Sequence, residues 1–227
     1  MTRLMNRPAY RVCVIALLAL VLIVTSGCAI GRKVDYGSAM TLPVKEGSGQ
    51  LAVGVVDHRP YVVAGDKAPT FVGLQRSGVG IPYDVNTQSG RPLAADFSGA
   101  MSKALTDKGY SVTEVELAPS ATVDEAKSKL AAVKAGRRIL LEVREWKTDT
   151  YAEAGLFYGL YLDVLDQHSA VIGHAETAGR NNLGGSFWDL DPAASAAEVA
   201  SAAFKRKMND LFREPQIQSA LAAVPAS

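Results

Sequence analysis

The sequence predicts a single α+β domain in which a mixed sheet, including a three-strand antiparallel meander, is packed by two or three helices on one face. Three observations carry this reading. Segments that alternate with the period of a strand are interspersed with segments at helical spacing. The last three strand-like segments follow one another across short turns. An apolar fraction of 48% over 227 residues supplies a core and excludes a mostly disordered chain. Of 24 Lys and Arg, three stand in the first 27 residues without any acid, so the rest of the chain carries 21 basic and 23 acidic side chains. That balance excludes a nucleic-acid surface built on bulk positive charge.

Arg3, Arg7 and Arg11 precede an unbroken apolar run from Val12 to Val24, which the small residues Thr25, Ser26 and Gly27 follow. As a helix the run is about 20 Å long against a hydrocarbon core of roughly 30 Å. It reads as a secretory leader over residues 1–27, an uncleaved anchor being the alternative. Val24-Thr25-Ser26-Gly27-Cys28 resembles the lipobox of bacterial lipoproteins. That resemblance implies cleavage after Gly27, diacylglyceryl attachment to the Cys28 sulfur and acylation of the new N-terminus. Ala29, where such proteins carry Asp for inner-membrane retention, implies the outer membrane, periplasmic face. Two or more acyl chains hold stably where one binds marginally. Cys13 leaves with the leader and Cys28 is consumed, so no thiol is left for a disulfide, metal or nucleophile. The mature domain must then be held by apolar burial, and about 70% of its surface can be buried at this size.

Residues 28–49 comprise the lipidated Cys28 and a stretch of Gly, Ser and charge without a sustained period. It reads as a flexible tether spanning about 25 Å, with a short edge strand at Leu42-Pro43. Residues 50–227 form the domain. Gln50–Asp57 alternates as the first strand. His58 to Arg91 is rich in Gly and Pro and reads as a long loop interrupted by a strand at Phe71–Gln75. Leu93, Phe97, Met101 and Leu105 mark a helix ending at Gly109, and Ser111–Leu117 is a strand. Thr122 and Glu125 have capping-box spacing ahead of a helix carrying Ala126, Leu130 and Val133. Arg138–Trp146, Tyr151–Leu165 and Ala170–Ala178 form the meander, with a turn at Asp166-Gln167-His168-Ser169. Asp191-Pro192 opens a long helix to Arg213. Pro215 breaks it before a short helical segment at Gln216–Ala223.

Thr41-Leu42-Pro43, Val56-Asp57 with Arg59 close behind, and Lys108-Gly109-Tyr110, taken with the meander and the C-terminal helix, resemble the YajG-type family of bacterial lipoproteins. The resemblance covers most of residues 28–223 and implies an α+β envelope domain without established catalytic activity, related to auxiliary lipoproteins of transport systems.

The residues themselves point to chemistry only faintly. His58, His168 and His174 lack the spacing and the cysteines of a zinc site, and no cofactor or metal is expected. Asp57 and His58 are a loop-facing acid and base, but no serine stands in a nucleophile-elbow context, and Ser186 after Gly184-Gly185 reads as a turn residue. Asp57 and Arg59 read as a salt-linked loop anchor. Gly78-Val79-Gly80-Ile81-Pro82 lacks the third glycine and following helix of a dinucleotide fingerprint, and reads as a loop that a partner can bind. Lys205-Arg206-Lys207 reads as a solvated helix face. Trp146, Tyr151, Tyr158, Tyr161 and Trp188, together with Phe157 and Phe187, either line a groove for an acyl chain or a partner's edge segment, or fill the core. The expected function is that of an outer-membrane-anchored, non-catalytic interaction module in envelope assembly or maintenance, attached to the membrane by lipid and bound to an envelope protein. A lipid- or apolar-ligand-binding auxiliary component is the alternative.

Overall fold

A computed structural model describes residues 32–38, 40–151, 153–184 and 192–222. The expected leader, Cys28, Ala29, Ser186, Phe187, Trp188 and the Asp191 cap lie outside the described residues. Eight strands form one mixed sheet: β1 (Lys33–Val34), β2 (Gln50–Asp57), β3 (Phe71–Arg76), β4 (Pro82–Thr87), β5 (Ser111–Val115), β6 (Arg137–Thr150), β7 (Ala154–Leu165) and β8 (Val171–Asn182). The helices are α1 (Pro60–Val63, one turn), α2 (Leu93–Thr106), α3 (Val123–Ala131), α4 (Pro192–Arg213) and α5 (Pro215–Ala222).

β6 organises the sheet. One of its edges pairs antiparallel with β7 from Arg138 to Thr150, and β8 adds beyond β7 to complete the meander. Its other edge is shared by two strands in succession: β2 runs parallel to Arg137–Val143, and β3 runs parallel to Thr148–Thr150. The sheet therefore forks. The β2 branch continues into β5, and the β3 branch into β4 and β1.

The two faces of β2 show why helices lie on both sides. Leu51, Val53 and Val55 join Ile139, Leu141 and Val143 of β6 and Leu156, Leu160, Leu162 and Val164 of β7 on one face. Phe97, Met101 and Leu105 of α2, Phe204, Met208 and Leu211 of α4, and Ile217 and Leu221 of α5 cover that face. Each such side chain, fully buried, stabilises the fold by about 1.5–3 kcal/mol. Ala52, Val56 and Leu140 point the other way, where Ala126 and Leu130 of α3 cover them. Of the two or three helices expected on one face, the structure has three, α2, α4 and α5, and α3 adds a smaller layer opposite. The Thr122–Glu125 capping box forms as its spacing predicts.

Three expectations are corrected. The tether does not extend to residue 49: Val34, Tyr36, Met40, Leu42 and Val44 are core residues, and Val34 lies in β1 beside Thr87. These buried residues fall at every second position, broken only at Ser38, and the Gly, Ser, Pro and charged residues between them give the stretch the composition of a linker. Leu42-Pro43 forms no strand. The Gly- and Pro-rich stretch from His58 to Arg91 is likewise no long loop, because Pro82–Thr87 forms β4, which completes a hairpin with β3. Gly109 follows α2 at φ +93°, and a Cβ there would stand 2.6 Å from the Gly47 carbonyl, so the arm before β2 closes against the helix end.

Candidate functional surface

The fork exposes a chain-accounting problem on β6, since β2 ends opposite Val143 and β3 starts pairing at Thr148. Backbone groups between them must find other partners. The His58 amide donates to the Val143 carbonyl, and Arg59 Nη1 donates to the carbonyls of Trp146 and Phe71. Arg59 Nε and Nη2 also donate to the two carboxylate oxygens of Asp57 at 2.8 and 2.7 Å, and Nη2 reaches the Pro69 carbonyl at 3.2 Å. Arg59 and Asp57 are both buried. Burial alone would ease the proton off the guanidinium, but the hydrogen bonds and charge of Asp57 outweigh it and hold its pKa above the ordinary value. The loop-anchor reading of this pair is therefore what the geometry shows: a buried plug at the sheet's branch point.

His58 does not stand free as a base. Its Nε2 donates to the Ala121 carbonyl at 2.7 Å and its Nδ1 lies 2.8 Å from Glu142 Oε1. Both ring nitrogens are thereby held by the protein. Burial raises the Glu142 pKa, but hydrogen bonds from Arg144 and His58 reverse this and leave it below the usual carboxylate value. His168 lies in the β7–β8 turn and His174 binds Asp163 at 2.7 Å, so the three imidazoles lie apart. Among the described residues no cluster of His, Cys, Asp and Glu is arranged to hold a metal ion. A cleft of about 840 Å³ opens beside the C-terminal ends of β2 and β5, between Arg91, Ser98, Glu114, Glu116 and Lys129. Its charges are mixed in sign.

The aromatic residues singled out by the sequence do not form one surface. Trp146 is wholly buried, in a cluster with Tyr36, Phe97 and Phe204, and its Nε1 donates to Tyr36 Oη at 2.9 Å. It is a core residue and lines no groove. Tyr158 belongs to the covered face of β7, packed on the core with Lys207 Nζ 3.9 Å from its ring centre. Tyr151 stands in the β6–β7 turn, half exposed. Tyr161 alone lies on the open face of the meander, and the sheet brings Phe157 beside it.

That open face is set by alternation along β7. Leu156, Leu160, Leu162 and Val164 are buried, whereas Phe157, Tyr161 and Asp163 between them are half-buried, and among the described residues no helix packs over Phe157 and Tyr161. Register then adds a row on each side: Lys147, Phe157 and Arg180 lie abreast, as do Glu142, Tyr161 and Glu176. Lys147 Nζ and Arg180 Cζ sit 5.2 and 4.8 Å from the Phe157 ring centre, and Arg144 Cζ lies 4.1 Å from that of Tyr161. Tyr61 borders the patch, donating to Glu145 Oε1 at 2.9 Å, with Lys147 5.4 Å from its ring. Gly159, opposite Glu145 and Ala178, lies between the two aromatic rows, and Glu145 and Arg144 pack over it. Aromatic faces overlaid by exposed cations, with carboxylates alongside, provide flat apolar area together with adaptable charge, the composition that protein interfaces favour. Alternation with Ile139, Leu141 and Val143 already turns Glu142 and Arg144 to this face, and the bulge on β6 between Val143 and Glu145 shifts the phase that follows, so that Trp146 faces the core and Lys147 lies beside Phe157.

No protein family model matches the sequence. No curated protein is similar to it either. Among solved structures, a Xanthomonas campestris protein of the DUF330 family is 14% identical, with TM-score 0.49, over 83% of this chain and 98% of that one. A neuraminyllactose-binding hemagglutinin homolog from Helicobacter pylori is 10% identical, with TM-score 0.36, over 80% of this chain and 95% of its own. Lipoprotein GNA1162 from Neisseria meningitidis is 12% identical, with TM-score 0.28, over 72% and 99%. None of the three carries the YajG name, and likenesses of this size fix neither activity nor partner. No helix among the described residues is long and apolar enough to cross a membrane.

Proposed function

We propose that this chain is a YajG-type lipoprotein of the outer membrane, anchored on the periplasmic face through acylated Cys28, whose domain is a non-catalytic interaction module in envelope assembly or maintenance. The basic leader, the apolar run and the lipobox-like exit support the address. The single observation that supports the role is the uncovered meander face, where Phe157 and Tyr161 lie between Lys147, Arg180 and Arg144. Its partner is an envelope protein that meets the aromatic rings with apolar area and the cations with carboxylates. An acyl-chain groove built on Trp146 and Tyr158 is not proposed, since both face the core.

The test places a photo-crosslinking side chain at Phe157 or Tyr161 in the full chain in cells, with Lys103 on the outer side of α2 as control. The same envelope protein is expected as an adduct from both positions and not from the control. No adduct from either position, or equal adducts from position 103, overturns the proposal.

A further inference from the structure

The expected spacer between lipid and domain is nearly absent, and this decides which end of the domain meets the membrane. The Arg32 carbonyl accepts from the Asn86 amide, and β1 runs parallel to β4. Followed backwards, β1 therefore heads towards Pro82, the start of β4. Cys28 is joined to Arg32 by four residues, at most about 14 Å of extended chain. The four residues from Asn86 back to Pro82 cover about 13 Å of strand. If acyl chains on Cys28 enter the bilayer, the lipid surface passes close to the Pro82 end of β4.

That end carries a hairpin tip, the five residues Ser77 to Ile81 between β3 and β4. Val79 is 82% exposed and Ile81 53%, and Tyr151 in the adjoining β6–β7 turn is 49% exposed. Thr150 pairs with Gln75, so turn and tip project from the same edge, and the Tyr151 hydroxyl donates to the Gly78 carbonyl at 3.4 Å. The tip is closed on itself: Ser77 N donates to Ile81 O, Gly80 N to Ser77 O, and Ile81 N to Ser77 Oγ. Polar groups satisfied within the turn lower the cost of taking it out of water. Behind it Arg76 binds both carboxylate oxygens of Asp149, at 2.9 and 2.8 Å, so the charge nearest the tip is paired. An aromatic with a polar handle beside exposed aliphatics is what membrane interfaces select.

We propose that the Ser77–Ile81 tip, with Tyr151, is a second membrane contact that inserts Val79 and Ile81 into the headgroup and upper acyl region beside the lipid anchor. It fixes the domain's orientation and leaves the Phe157–Tyr161 face turned along the membrane towards its partner. This rests on the anchoring proposed above. The occupant is a phospholipid surface because the short link from Cys28 brings one there.

The test is a diazirine side chain at position 79 or 81 of the full chain in cells, with position 172 as control. Ile172, 40% exposed, lies at the start of β8, near the Leu165 end of the meander and about 35 Å of strand from the Gly155 end. After irradiation, mass spectrometry reads phospholipid adducts on the tip peptide and acyl groups on Cys28 independently. Phospholipid adducts at 79 and 81 that exceed those at 172 several-fold are expected. Acylated Cys28 without lipid adducts at the tip, or with a protein adduct in their place, overturns tip insertion and leaves the anchor standing. Unacylated Cys28 with tip adducts upholds insertion and overturns the anchor, and the absence of both overturns both.

Discussion

Arg59 shows how much of the fold hangs on one side chain. It neutralises a buried carboxylate, donates to the Trp146 carbonyl between the β2 and β3 pairings and to that of Phe71 at the start of β3, and is wholly inaccessible to water. Arg59→Met leaves Asp57 buried and uncompensated, and removing one partner of such a pair costs about 3–5 kcal/mol. Arg59→Lys does little better, because an ammonium cannot reproduce two parallel bonds to Asp57 while also serving Phe71 and Trp146. The double variant Asp57→Asn, Arg59→Met is expected to recover part of the loss but not all, since the Phe71 carbonyl loses its Arg59 donor, whereas those of Trp146 and Pro69 keep the Tyr61 hydroxyl and the Leu93 amide. Urea unfolding of the three proteins checks this. A double variant no more stable than Arg59→Met would show that the stranded charge is not the source of the cost. The sequence made the pair legible, because an acid and an arginine two residues apart closed a strand. The plug was not legible, because its carbonyl partners come from residues 69, 71 and 146, which only the fork brings together.

At the scale of elements, legibility followed apolar content. Gln50–Asp57, with Leu51, Val53 and Val55 on one face and Ala52 and Val56 on the other, forms β2 as read, and the Asp166 turn forms with its carboxylate accepting from the amides of His168 and Ala170. Residues 34–44 were misread although their buried side chains fall at every second position apart from Ser38, because Asp35, Gly37, Ser38 and Pro43 give the stretch a linker's composition, and residues 82–87 because six residues punctuated by Pro82 and Asp84 hold few repeats. β3 is the element most sensitive to a single change. A Cβ at Gly73 would stand 2.1 Å from Thr148 Oγ1 and 2.7 Å from the Thr148 carbonyl. The hydroxyl can rotate away, but the backbone oxygen cannot. Gly73→Ala is therefore expected to push β3 off β6 at a cost of about 1–3 kcal/mol, typical of overpacking. Hydrogen exchange should quicken at Leu74 and Gln75, which pair with Asp149 and Thr150, and stay unchanged in β7 and β8. Unaltered exchange across β3 would contradict the close approach.

For the molecule as a whole, the decisive question is where the domain begins. Read from composition, residues 29–49 are a dispensable spacer and the domain starts at Gln50. In the structure, Tyr36 packs edge-on against Phe97, Trp146 and Phe204 and accepts the bond from Trp146 Nε1, while Leu42 is fully buried. Taking away Val34, Tyr36, Met40, Leu42 and Val44 removes five buried side chains at about 1.5–3 kcal/mol each. The resulting loss is comparable to the whole net stability of a domain, about 5–15 kcal/mol. It also leaves the Trp146 N–H buried without an acceptor. A chain beginning at Arg32 is therefore expected to unfold cooperatively with an intact near-ultraviolet signal from Trp146. One beginning at Gln50 is expected to lose that signal and bind a hydrophobic dye at ambient temperature. If the shorter chain instead keeps its aromatic signal and melts within a few degrees of the longer one, the arm is decoration. The domain would then hang from a spacer long enough to clear the headgroups, and the argument that carries the hairpin tip to the membrane would lose its footing.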